Sequence, residues 1–373
     1  MRIALVASHF GEYSLSLAKA LAASHEVLLL INESNLDKEV GDAWKPHAVP
    51  NLTIVRFPHR KDVRLIWRNA ALIVSEIRKF KAQVVHAHED PRDYVVLALM
   101  RLRDLPFVLT IHDPVAHSGE DSRRRRFSRL RIYISMLRRR ADQAIVHGEF
   151  LKSSCQRLLP RLRGKTHSIM HGPLGQLFGV VPAFDWQAGN CLFFGRIEAY
   201  KGLPYFIEAI RIARKAGTAV KGVIAGQGPE LDQVKDSLLA DAGFEIVDRY
   251  LAPIEVIERF RQANVVVLPY IDATQSGVAA YALGLGRPVV ASRIGGLPEL
   301  VRDGFNGVLV PPRDASALAT AMADLVNAPE HARALASNAL QLANGEVSWR
   351  EIALQAAVVY QKALDGFRKG GVR

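Results

Sequence analysis

Phe194-Gly195-Arg196-Ile197-Glu198-Ala199-Tyr200-Lys201-Gly202 is the stretch of this 373-residue chain whose residue types and spacing carry the clearest chemistry. A short apolar run ends at Phe194, a loop follows, and Leu203-Pro204 opens a helical pattern with proline suited to a first turn. Arg196 and Lys201 therefore flank a loop beside helix-start amides, which favour anions. Two cations with oriented N–H donors at the carboxyl end of a parallel strand suit a diphosphate. Two solvated basic residues in a loop would produce the same spacing, and the spacing alone leaves both readings open.

Other groups fall at comparable places. Ala273-Thr274-Gln275-Ser276-Gly277 opens a helix predicted from Val278 to Leu285. Thr274, Gln275 and Ser276 offer hydroxyls and an amide, and Gly277 allows close backbone approach to a ligand; an ordinary N-cap uses the same residues. In the first half, Val108-Leu109-Thr110-Ile111 runs into His112-Asp113-Pro114, placing His112 at a strand tip, where open αβ sheets bind ligands. A turn built on Asp113-Pro114 is the structural alternative. Gly11, in the loop Ser8-His9-Phe10-Gly11-Glu12-Tyr13, occupies the matching tip of the first strand. His86 and His88 share a strand face, but no third ligand accompanies them, so no metal site is expected.

The elements that must position these groups alternate strand with helix. Apolar, β-branched runs at Arg2 to Ala7, Val27 to Ile31, Thr53 to Phe57, Val84 to Ala87, Phe107 to Ile111 and Gln143 to Val146 are predicted strands. Helical patterns such as Ser14 to Ala22 and Leu65 to Phe80 separate them, which predicts a parallel sheet covered on both faces. Glycines and prolines crowd residues 171–189, which read as a linker. Strand signals then resume at Cys191 to Phe194, Val220 to Ala225, Phe244 to Val247, Val265 to Leu268, Pro288 to Ala291 and Gly307 to Val310. The expected organisation is an N-terminal Rossmann-like domain over 1–170, a second over 190–345, and a C-terminal segment 346–373 containing a helix from Trp349 to Phe367.

Composition narrows the class. Hydrophobic residues make up 49% and charged residues 23%, as in a globular protein, not a disordered one. The two cysteines, Cys155 and Cys191, form no disulfide framework or zinc pattern and fit a reducing, cytoplasmic setting. No signal peptide is evident, and no apolar run nears the ~20 residues needed to span a bilayer. A net charge of +12 favours anionic partners. Much of it lies in Arg123 to Arg140, where Phe127, Leu130, Ile134 and Leu137 make an apolar stripe at helical spacing. Such a segment can lie on an anionic membrane surface, or pack its stripe inward and leave the arginines solvated. With few stacking aromatics and no recognisable module, it is not expected to bind nucleic acid.

The Phe-Gly-Arg and Lys-Gly pair at 194–202 resembles the donor-phosphate motif of the family-4 retaining glycosyltransferases. The resemblance extends through Val223-Ile224-Ala225-Gly226-Gln227-Gly228-Pro229-Glu230 and Ala263-Asn264-Val265-Val266-Val267-Leu268-Pro269. It continues at Gly286-Arg287-Pro288-Val289-Val290-Ala291-Ser292 and Gly295-Gly296-Leu297-Pro298-Glu299, followed by Asp303-Gly304 and Asn306-Gly307. It implies a GT-B fold, two Rossmann-like domains facing across a cleft, with the last helix returning to the N-terminal domain. It implies Arg196 and Lys201 on a nucleotide diphosphate, Gly11 near the donor phosphates, and His112 beside the transferred sugar. The family carries two glutamates with seven residues between them before the Gly-x-Pro-Val-Val segment. Counting back from Gly286 puts Ala273 and Tyr281 at those places, with Asp272 one residue away. Thr274, Gln275, Ser276, Gly277 and Tyr281 are accordingly expected to form a variant donor loop. The implied activity is retaining, metal-independent, cofactor-free hexosyl transfer from a UDP- or GDP-sugar to a glycan or lipid-linked acceptor, in polysaccharide or envelope glycan synthesis. A non-catalytic partner of the same fold, or a nucleotide-sugar epimerase or coupling enzyme on the same scaffold, are the competing expectations.

Overall fold

The computed structural model describes residues 1–44, 49–58, 63–90, 92–114, 129–179, 184 and 189–369. The chain divides into two compact units, the second made of the middle of the chain from His171 to Ser348 and the first of the N-terminal part together with Trp349 onward.

The first unit is built on seven parallel strands: β1 (Arg2–Ala7), β2 (Glu26–Asn32), β3 (Leu52–Phe57), β4 (Val84–His88), β5 (Phe107–Thr110), β6 (Gln143–Val146) and β7 (Thr166–Ser168). Their order is β3-β2-β1-β4-β5-β6-β7, so the chain reverses direction across the sheet between β1 and β4. Strands β1, β2 and β4 are buried almost throughout, which is why they read as unbroken apolar runs, without alternation. Strand β7 was not predicted. Its three residues, Thr166-His167-Ser168, lie at the sheet edge with no apolar run to mark them.

Among the described residues six helices follow strands in this unit: α1 (Gly11–Ala22), α2 (Glu33–Glu39), α3 (Val63–Lys79), α4 (Asp93–Arg101), α5 (Arg129–Arg140) and α6 (Glu149–Leu158). Ile73, Ile77, Val95, Leu99, Leu137 and Leu151 lie on their inner faces, in one core with the sheet residues Val85, Phe107 and Leu109.

In the second unit the strands are β8 (Asn190–Phe194), β9 (Lys221–Ala225), β10 (Phe244–Val247), β11 (Val265–Leu268), β12 (Val289–Ser292) and β13 (Gly307–Val310), in the order β10-β9-β8-β11-β12-β13 and all parallel. Helices α7 (Leu203–Lys215), α8 (Pro229–Asp232), α9 (Lys235–Leu239), α10 (Pro253–Gln262), α11 (Gly277–Gly284), α12 (Leu297–Leu300), α13 (Ala315–Asn327) and α14 (Pro329–Asn344) belong to it. Phe193, Phe206, Ile210, Val267, Met322 and Leu325 are among the residues of its core.

The last helix, α15 (Trp349–Lys369), packs on the first unit, against α1, β4, β5 and β6. Two buried contacts fix it there. The Tyr13 and Trp349 rings meet edge to face at 5.0 Å, and the Tyr360 hydroxyl lies 2.8 Å from His86 Nδ1. His86 Nε2 in turn lies 2.7 Å from Thr110 Oγ1, and burial holds this imidazole neutral by lowering its pKa to about 3. His86 is thus a satisfied core residue that ties a distant helix to the sheet.

Candidate functional site

In the second unit, the loop after β8 is shaped around one amino group. Gly195 sits at φ +105°, a left-handed conformation that glycine adopts without strain, and a Cβ there would lie 2.6 Å from Lys201 Nζ. A short 3₁₀ turn, Ala199–Lys201, carries the lysine inward. Its side chain is only 6% exposed, Nζ donates to the Phe194 carbonyl at 3.2 Å, and the charge lies 5.6 Å from the Tyr270 ring centre. Burial, helped by the charge of Arg196 and opposed by that of Glu198, lowers the Lys201 pKa to about 7. No carboxylate among the described residues pairs with Nζ. Arg196 itself is exposed.

The predicted donor loop lies beside it. Ser276 caps α11, its Oγ accepting from the Ala279 amide at 3.2 Å, and it lies 3.4 Å from the buried Tyr270 hydroxyl. Val278 Cγ2 stands 3.7 Å from where a Gly195 Cβ would be, so the first turn of α11 adjoins the Lys201 loop. Tyr281, on the same helix, packs its ring 5.5 Å from Phe260, which packs at 5.3 Å against Phe194 at the head of that loop. Gly295 and Gly296 press against the carbonyls of Ala273 and Thr274 so closely that a side chain on either would overlap them. That contact gives the Gly-Gly pair a physical purpose: it supports the Thr274–Gly277 loop from behind. Gly277 faces open space and has no packing need for glycine. By contrast, Asp303 and Asn306 serve a turn: Asp303 accepts from the Leu309 amide, and Asn306 accepts from Arg302 N and donates to Leu300 O.

As the cap of α11, Ser276 makes a testable contribution. Ser276→Ala is expected to cost about 1 kcal/mol of stability, read in a urea titration. A loss of ligand affinity much larger than the change in stability would add a direct ligand contact to the capping role.

In the first unit, His112 lies at the carboxyl end of β5 and is 5% exposed. Phe10, a non-glycine residue at φ 60° just before α1, stacks on its ring at 3.8 Å. His88 Nδ1 lies 2.9 Å from His112 Nε2, and His88 Nε2 lies 3.0 Å from Ser14 Oγ. The Ser14 hydroxyl donates to the Phe10 carbonyl at 2.7 Å, so it can only accept from His88. With both rings neutral, His88 then carries its proton on Nε2 and accepts at Nδ1. His112 must carry its proton on Nε2, which leaves Nδ1 as its acceptor. The alternation that put His86 and His88 on one strand face could have flagged a pair, but only the fold brings Ser14 and His112 to the second of them.

Arg138, on α5, braces the same corner. It makes a bidentate pair with the buried Glu89 at 2.7 and 2.8 Å and donates to the Asp113 and Pro114 carbonyls. Arg140 likewise pairs with Asp142 at 3.0 Å and donates to the Leu102 carbonyl. These two arginines are structural and not simply solvated, whereas Arg131 and Arg139 are exposed. Arg123 to Arg126 and Phe127 lie outside the described residues.

Gly11 is placed by packing. A Cβ there would lie 2.9 Å from Asn35 Oδ1, and the Glu12 amide donates to Glu39 at 3.3 Å. Burial raises the Glu39 pKa, opposed by Asn35 and by the backbone of Glu12, Gly11 and Phe10. An internal carboxylate thus engages the start of α1, where the sequence suggested a donor phosphate. Among the described residues no three His, Cys, Asp or Glu side chains are grouped to hold a metal ion.

Residues 11–172 match Glycosyltransferase Family 4, and residues 188–328 match Glycosyl transferases group 1. The glycogen synthase of Mycobacterium tuberculosis is 28% identical over 306 residues, 78% of this chain and 72% of that protein. Sucrose-phosphate synthase from Thermosynechococcus elongatus is similar in structure with a TM-score of 0.67 at 20% identity, covering 98% of this chain and all of the other. Anabaena HepE, solved in complex with UDP-glucose, gives a TM-score of 0.65 at 20% identity over 97% of this chain and 99% of its own. Its two parallel sheets share the GT-B fold of these structures, and its two halves each match a division of the same enzymes: the chain belongs to the family-4 glycosyltransferases.

Proposed function

We propose that this enzyme transfers a hexosyl group from a UDP- or GDP-sugar to a glycan or lipid-linked acceptor, with retention of configuration, in polysaccharide or envelope glycan synthesis. The observation that carries the donor half is Lys201: a buried amino group with no carboxylate partner among the described residues, aimed at a glycine-lined strand tip. A buried cation of this kind is stabilised by an anion that the chain does not itself supply, and a diphosphate fits. Arg196 adds a second positive charge from the surface side. Anabaena HepE, similar in fold and solved with UDP-glucose, favours uridine as the base.

In this reading the departing diphosphate is neutralised by Lys201, Arg196 and the first-turn amides of α11, so no divalent metal is required. Thr274, Gln275, Ser276, Gly277 and Tyr281 form a variant donor loop, with Tyr281 where the family has its second glutamate. His112, accepting at Nδ1, takes a hydrogen bond from a hydroxyl of the transferred sugar. Its ring is held against rotation by Phe10 and His88, so the acceptor site is preorganised. Gly11 shapes the loop beneath it. The acceptor is presented by the first unit, and the net charge of +12 suits work at the inner, anionic face of a membrane in the cytoplasm.

The test is a calorimetric panel of UDP, GDP, ADP and their sugar conjugates, in EDTA. A preference for one nucleotide, lost in Lys201→Ala, supports the reading. No binding by any of them would favour a non-catalytic partner. Conversion of the donor sugar without acceptor would identify an epimerase instead.

A further inference from the structure

At the opposite end of the first unit's sheet from His112 is a pocket that sugar transfer does not use. Its volume is about 350 Å³, and it is lined by Met100, Arg103, Met136, Arg139, Arg140, Asp142 and Phe367. Asp142 immediately precedes β6 and its carboxylate accepts from the Phe107 amide of β5, so the pocket lies at the amino ends of these strands. His112 and His147 follow their carboxyl ends. Even the four residues of β5 separate the two places by roughly 13 Å at about 3.3 Å per residue.

The lining combines two chemistries. Met100 at the end of α4, Met136 on α5 and Phe367 in the last turn of α15 supply apolar surface, and two of the three are flexible thioethers that adapt to irregular shapes. The rim is cationic. Asp142, the one acid in the lining, is already used by Arg140 and by the Phe107 amide. Arg140 is spent on Asp142 and the Leu102 carbonyl and stacks 5.5 Å over the Phe107 ring. Burial lowers the Arg140 pKa, Asp142 opposes this, and the charge of Arg103 adds to the lowering, so the arginines are close enough to repel. Arg103 and Arg139 are both exposed. The guanidinium of Arg103 meets only the Met100 sulfur, at 3.9 Å, and no carboxylate among the described residues pairs with either arginine.

We propose that this pocket binds an anionic amphiphile, with a phosphate held between Arg103 and Arg139 and its apolar chain laid over Met100, Met136 and Phe367. Guanidinium groups match phosphate oxygens in pairs, and a volume of this size, at about 30 Å³ for each water-sized group, admits roughly ten non-hydrogen atoms of chain. A free phosphate leaves the apolar floor uncovered, and a neutral amphiphile leaves the two charges unanswered. The chemistry is shared by a single lipid phosphate and by an anionic lipid in a bilayer. In either case the ligand anchors the unit that carries His112 by the edge remote from that histidine. The inference does not depend on the sugar-transfer reading.

The experiment titrates the full chain with dodecyl phosphate below its micelle concentration, with dodecyl maltoside and inorganic phosphate as controls. Dodecyl phosphate is expected to bind at least about tenfold more tightly than either control. The double variant Arg103→Gln/Arg139→Gln, and separately Phe367→Ala, should each weaken it about tenfold or more, with nucleotide affinity and melting temperature preserved. Equal binding of dodecyl maltoside, or dodecyl phosphate binding unchanged in both variants, overturns the proposal. Vesicles of phosphatidylglycerol and of phosphatidylcholine then separate the sources. Binding to the former alone, lost in the double variant, identifies a bilayer ligand, and binding of the monomer alone identifies a single lipid phosphate.

Discussion

Lys201→Ala is expected to weaken nucleoside diphosphate binding by about 2 to 4 kcal/mol, or roughly thirtyfold to a thousandfold, measured by calorimetry. The size follows from burial. A charge-assisted bond made inside the protein is screened little, and removing the cation leaves the diphosphate facing the Phe194 carbonyl and the Tyr270 ring in its place. Arg196→Ala should cost less, about 1 kcal/mol, because that side chain is exposed and water screens it. Equal losses in the two variants would mean that the binding pocket is not organised around the lysine.

The same residue predicts a pH dependence whose sign can be worked out. Without ligand, burial holds the Lys201 pKa at about 7, so at pH 8 the amine is mostly neutral. A diphosphate favours the charged form and raises that pKa, so binding above pH 7 draws in a proton. Affinity should therefore fall as pH rises above about 7, by up to about tenfold per pH unit. Terminal phosphates lose their second proton near pH ~6, so the ligand contributes no slope in this window. In Lys201→Ala the slope should vanish, and calorimetry in buffers of different ionisation enthalpy should show that proton uptake has gone. A slope that survives the substitution would assign the proton to another group.

Much of this arrangement was legible before the fold. Among the described residues twelve of the thirteen strands announce themselves as short apolar runs; the central ones, such as β1, β4 and β11, are buried on both faces and need no polar alternation. The thirteenth, β7, is polar and at an edge. The Lys201 loop was visible because its glycines and cations sit at fixed distances from a strand end. Other features needed the third dimension. Nothing local in Arg138 says that it pairs with Glu89 and holds the 113–114 carbonyls, since 49 residues separate the two partners. The basic segment read as one amphipathic face, yet its arginines divide by what the fold places opposite each of them. Nothing near Gly11 in sequence says that Asn35 and Glu39 of α2 pack against the start of α1. Spacing in sequence reports which element a residue lies on, whereas the partner across the sheet decides what that residue does.

The histidine pair makes the second large prediction and separates contact with substrate from support of it. His112→Ala should lower kcat by about 10²-fold with little change in donor affinity, as expected when a group acts on the reacting sugar and not on the diphosphate. His88 is placed to act through His112: by accepting at Nδ1 it keeps the proton of His112 on Nε2 and its acceptor at Nδ1. His88→Leu, which keeps the bulk but not the acceptor, should lower kcat about tenfold, the scale of one hydrogen bond. His88→Asn places an amide oxygen near the former Nδ1 and should recover most of that loss. A role in packing alone predicts the reverse order, because leucine fills the buried space between Tyr13 and Phe10 better than asparagine does. The two explanations therefore differ in the ranking of two variants at one position, and kcat measured beside thermal stability decides between them: activity following the acceptor means His88 sets the tautomer of His112, and activity following stability means it only fills the corner.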